Sequence, residues 1–158
     1  MKVVLKIPSP GTAAYKVKGK DYSEAANYLI NKPYSACYEA NPAYSHKFND
    51  AGNTHQITIT AKPTITMPQW AGAVKLKGDE KKWWGSMMRA LAKHEAKHHK
   101  IFETDARAFK KAAEAAGDFP KAETAGKMAA FFVGSQSNQD KYDKRTSHGE
   151  KEGVSLPV

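Results

Sequence analysis

KKWWGSMMRALAKHEAKHHKIFETDARAF, residues 81–109, decides how this chain is read. Within it stands His94-Glu95-Ala96-Lys97-His98, an H-E-x-x-H pattern. Side chains four apart on a helix share a face, with Cβ atoms about 6 Å apart, so two imidazoles at this spacing can bind one zinc ion. The glutamate between them lies one step round the helix, where it can act as general base towards a water on that metal. The surrounding segment reads as one helix over residues 79–117. Asp79 is placed to cap its start and Gly117 to end it, and no proline intervenes. Trp84, Met87, Met88, Leu91, Ile101, Phe102, Phe109, Ala112, Ala113 and Ala116 recur at helical spacing and mark a buried stripe. His94 and His98 fall on this stripe and should face inward, with Glu95 on its flank. A lone inward histidine is ordinarily a hydrogen-bonded core residue. A pair four apart with a glutamate between them is harder to explain without a metal.

Two imidazoles leave a tetrahedral site short of a protein ligand. No glycine or proline follows His98 until Gly117, so the helix cannot turn back and the third ligand should come from another element. His148 is the choice. It lies in Tyr142-Asp143-Lys144-Arg145-Thr146-Ser147-His148-Gly149, a polar segment with no packing reason to carry these residues. Glu123 and Asp143 are its rivals. Tyr142 is a candidate donor to a developing oxyanion. Asp105 continues the inward stripe about 10 Å beyond His98 and is expected to orient an imidazole or another buried polar group. His46, His55 and His99 are expected at the surface.

Composition narrows the class. The chain has 158 residues, enough for one domain with a real core, and no long apolar run. A single cysteine, Cys37, excludes an intramolecular disulfide and a multi-cysteine zinc site, so any metal must be held by histidines and carboxylates. The net charge of +9 suits nucleic acid, anionic lipid or an acidic polymer. The lysines are scattered, however, and Arg89, Arg107 and Arg145 are the only arginines, which argues against a nucleic-acid reader. The first residues lack an apolar signal-peptide core and a small-residue cleavage site. The expected location is therefore periplasmic or extracellular if a leader was removed, and cytoplasmic otherwise.

Strands are predicted at residues 3–7, 15–18, 35–40, 56–60 and 64–67, with a helix at 22–30 capped by Asp21 and Glu24. The stretch 41–53 reads as a turn-rich loop. After Gly117, Asp118 and Pro120 suit the start of a further helix, with Gly134 as its end or a break. Residues 142–158 read as a charged tail. A small N-terminal sheet with one early helix, followed by helices, is an α+β pattern.

Several residues together resemble a bacterial family of unknown function, characterised in general terms as predicted zinc-dependent proteases. They are Tyr15-x-Val17-x-Gly19, Cys37, Pro68-x-Trp70, Trp84, His94-Glu95-x-x-His98 and Tyr142-Asp143-x-x-Thr146-x-His148-Gly149. The likeness runs from about Tyr15 to Leu156, and one departure is the lack of a visible leader. The resemblance implies a small zincin-like domain in which a sheet lies above the active-site helix and its outer strand pairs with an extended peptide. Residues 64–67 or 56–60 are the strands considered for that part. The leading expectation is a zinc metallopeptidase with Zn2+ on His94, His98 and His148, Glu95 as base, and a peptide or protein as substrate. The rivals are a zincin-like module that binds metal or a partner without turnover, and a basic nucleic-acid-binding protein.

Overall fold

The computed structural model describes residues 1–157. The strands are β1 Lys2–Lys6, β2 Gly11–Lys16, β3 Cys37–Glu39, β4 Pro42–Phe48, β5 Asn53–Ala61, β6 Thr64–Gln69 and β7 Phe119–Pro120. The helices are α1 Tyr22–Ile30, α2 Gly78–Ala116 and α3 Thr124–Thr146. The class is α+β, as expected, but the strands form two sheets, ordered β1-β5-β4 (with β7 also on β5) and β2-β6-β3. The chain divides into two compact units. One comprises residues 1–10, 39–63 and 99–141, and the other 11–38, 64–98 and the residues from 142 onward.

In the first unit β5 is the central strand, parallel to β1 and antiparallel to β4. Ile57, Ile59 and Ala61 alternate inward along it, as a strand with one buried face requires. Lys47 pairs with Gln56 but Phe48 pairs with Thr54, so His55 has no opposite number. This bulge changes the phase of the strand and turns Thr54 inward, where its hydroxyl meets that of Thr124 at 2.7 Å. Phe131 of α3 packs between Phe102 and Phe109 of α2. Asp105 does not support an imidazole here; its Oδ1 accepts a hydrogen bond from Asn138 at 3.0 Å.

Three further expectations change in this unit. Residues 42–48 are a strand rather than part of a loop. The alternating rings of Tyr44, His46 and Phe48 lie side by side along a mostly exposed outer strand, so no buried apolar pattern announced it. Asp118 and Pro120 do not open the second long helix. Phe119 and Pro120 pair with Thr54 and Asn53, and α3 starts at Thr124. Gly134 does not stop that helix, which runs on to Thr146.

In the second unit the parallel pair β2 and β6 runs in register from Gly11↔Thr64 to Lys16↔Gln69. Several residues behind the family resemblance meet in this core. The Trp70 indole donates to the Gly19 carbonyl at 2.9 Å and packs 5.2 Å from the Trp84 ring. Tyr15 donates to the Ser35 carbonyl. Gly19 has φ +146°, and a Cβ there would lie 2.5 Å from the Ala25 nitrogen. Gly19→Ala is therefore expected to cost about 1–3 kcal/mol through backbone strain alone. Thermal unfolding should show a melting temperature lower by several degrees; an unchanged value would refute the overlap.

The inward stripe of α2 is as read from the sequence in its first part, but not at its end, where Ala112 and Ala116 are exposed. Trp84, Met87, Leu91, His94 and His98 are buried in this unit, with Glu95 buried beside them. Helix α2 begins at Gly78, so Asp79 lies in its first turn, where a negative charge meets the positive end of the helix dipole.

Candidate metal centre

The helix spacing places His94 and His98 one turn apart, with their Nε2 atoms 3.2 Å from each other. The third member arrives from the last turn of α3. Asp143 Oδ1 lies 3.0 Å from His94 Nε2 and 2.9 Å from His98 Nε2. These three side chains form a group able to hold a metal ion. Four N or O donors about 2.0–2.1 Å from a zinc ion stand roughly 3.3–3.4 Å apart at the corners of a tetrahedron. The three observed separations fall only slightly short of that.

The chemistry of the donors points the same way. Glu152 Oε2 lies 2.8 Å from His94 Nδ1 and also accepts a hydrogen bond from the Tyr142 hydroxyl at 2.7 Å. Burial alone would raise the Glu152 carboxyl, but the hydrogen bonds from His94 and Tyr142 outweigh it and hold the group below its usual range. An ionised carboxylate only accepts, so His94 donates to it from Nδ1. His94 Nε2 then faces Asp143 Oδ1 and His98 Nε2, and these three atoms are the ones placed to share a cation.

Thr146 and the residues after it shape the end of α3. The Thr146 hydroxyl donates to the Tyr142 carbonyl at 2.9 Å. Ser147, His148 and Gly149 then take left-handed conformations, with φ of 51°, 52° and 89°, and turn the chain back. The returning loop expected from the sequence is therefore present, but it does not bring His148 to the imidazoles. The His148 side chain is 70% exposed and its Nδ1 is 4.0 Å from Asp143 Oδ2. Asp143, the rival named for the third position, takes the place given to His148. The reason is helical geometry: Asp143 sits on the inward face of the last turn of α3 with Tyr142, whereas the left-handed turn swings His148 outward. Glu123, the other rival, is half-exposed and pairs with Lys127 at 3.2 Å.

Glu95 is buried beside this group. Burial pushes its carboxyl up to about 7; the neighbouring His98 opposes the rise, Asp143 adds to it, and a hydrogen bond from the Tyr38 backbone amide opposes it. A divalent cation would draw it back down. Tyr142 stacks on His94 at 4.8 Å and meets His98 edge-on at 4.9 Å. Burial, and then the hydrogen bond to Glu152, holds its phenol above its ordinary range. Its single proton is committed to Glu152, which argues against the expected role as an oxyanion donor.

Residues 12–149 match the family described as bacterial protein of unknown function (DUF922). The chain belongs to DUF922. No curated protein and no solved structure matches it. The DUF922 match includes His94, Glu95, His98, Tyr142 and Asp143 and ends at Gly149, before Glu152. Sequence reasoning missed Glu152 and Tyr38, because a glutamate in a charged tail and a tyrosine on a three-residue strand carry no local signature. His99 was expected to be solvated. Its side chain is only 13% exposed and faces Glu103 at 4.0 Å.

Proposed function

We propose that this chain is a zinc-dependent peptidase in which His94, His98 and Asp143 hold the ion and Glu95 is the general base. The convergence of three donor atoms beside a buried glutamate is the observation that carries this reading. When bound, a zinc ion acts as a Lewis acid and lowers the pKa of water in its open position towards 7. Glu95 takes the proton from the attacking water and later passes it to the leaving amine. The Tyr38 amide and the buried setting keep the carboxylate aimed and shielded from bulk water.

A peptide substrate is favoured by the sheet beside the site. The strands considered for substrate pairing, residues 64–67 and 56–60, belong to β6 and β5, which are both flanked by other strands. The outer strand next to the histidines is β3, where the Tyr38 ring lies parallel to His98 at 6.4 Å. An extended peptide laid along β3 would bring a scissile carbonyl towards the donor group by strand addition.

The test is cleavage of an unfolded protein by the zinc-loaded enzyme, followed as new amino termini. Activity should disappear with a chelator and return with zinc. A protein that holds one zinc per chain yet leaves every unfolded substrate intact would instead be a binding module.

A further inference from the structure

We propose that the segment after Gly149 is a strap coupled to the metal: Glu152 fixes the His94 imidazole, so metal binding and seating of residues 150–157 reinforce each other. The inference rests on the metal reading above. It concerns residues beyond the part of the chain that matches the family, which ends at residue 149.

Hydrogen bonds and apolar packing together seat the strap. Glu152 receives His94 Nδ1 at 2.8 Å and the Tyr142 hydroxyl at 2.7 Å on one oxygen. Val154 and Leu156 pack against the buried cluster that contains Trp70, Trp84 and Leu91. Tyr22 donates to the Pro157 carbonyl at 2.9 Å. The Val154 amide closes back on the Gly149 carbonyl at 3.0 Å. Gly149 marks how closely the strap passes the site, since a Cβ there would lie 2.7 Å from Val154 Cγ2 and 3.3 Å from His94 Cγ.

The coupling follows from what Glu152 does to the ring. A carboxylate on Nδ1–H sets the tautomer, stops the ring from turning and makes Nε2 a better donor. A cation on Nε2 in turn polarises Nδ1–H and strengthens its bond to Glu152. Two equilibria that share one hydrogen bond are linked, and the factor by which the seated strap tightens metal binding equals the factor by which metal favours the seated strap. The side chain of Glu152 is 34% exposed, so water competes for this bond and the lower part of the usual range for such partners applies.

The experiment uses the full chain, with zinc affinity measured by chelator competition and amide hydrogen exchange followed at residues 150–156 with and without zinc. In the unaltered protein, zinc should slow exchange in the strap. Glu152→Ala should keep one zinc per chain, weaken its affinity by about 10-fold or somewhat more, and abolish the zinc-dependent protection. Glu152→Gln, whose amide oxygen still accepts from Nδ1–H, should recover part of both. Unchanged affinity in Glu152→Ala, or strap exchange that ignores zinc in the unaltered protein, overturns the proposal. If Glu152→Ala does not fold, the exchange comparison on the unaltered protein decides alone. Failure of the unaltered protein to bind zinc overturns the metal reading and the strap together; zinc binding with no effect at Glu152 overturns only the strap.

Discussion

Asp143→Ala is expected to strip the metal centre, lowering zinc affinity by well over 100-fold, beyond the loss of a supporting hydrogen bond. The unaltered protein should purify with about one zinc per chain, and elemental analysis after gel filtration should find almost none in this variant. His94→Ala and His98→Ala should behave alike, because each removes one of three donors within 3.2 Å of one another. His148→Ala should keep its zinc. Its exposed ring lies beside the far oxygen of Asp143 and not among the donors. The reverse pattern, with zinc lost in His148→Ala and kept in Asp143→Ala, would return the third position to His148 and refute the arrangement described above.

Glu95→Gln is expected to reduce peptide hydrolysis by about 10²–10⁴-fold while leaving zinc bound. The amide matches the carboxylate in shape and can still accept from the Tyr38 amide, so the site should stay folded. What it lacks is the ability to take and return a proton. Measuring kcat and zinc content on the same preparation separates the roles. Undiminished turnover would remove Glu95 as the base, and loss of zinc from a folded variant would make it a ligand.

The parts of the site legible in the sequence lie on one helix. His94, Glu95 and His98 are ordered by a spacing of 3.6 residues per turn, and their inward direction follows from Trp84, Met87 and Leu91 on the same stripe. The third donor depends on how the end of another helix is placed. That placement rests on where α3 stops, and Gly134 was a misleading stop signal. A glycine inside a helix costs only about 1 kcal/mol relative to alanine, which the packing of the Phe131 and Met128 face can offset.

The α+β class, the long helix and the two imidazoles with their glutamate were legible from residue order alone, because periodicity and capping act over a few residues. Features that depend on distant parts of the chain emerged only on folding. Folding divided the strands between two sheets, set Asp143 rather than His148 beside the imidazoles, and brought Glu152 onto His94 across 58 positions of sequence. The physical reason is that helix propensity and apolar spacing are local energies. The partner of a buried imidazole is set by chain reversal, here three consecutive left-handed residues whose strain is offset by contacts that only the folded protein makes.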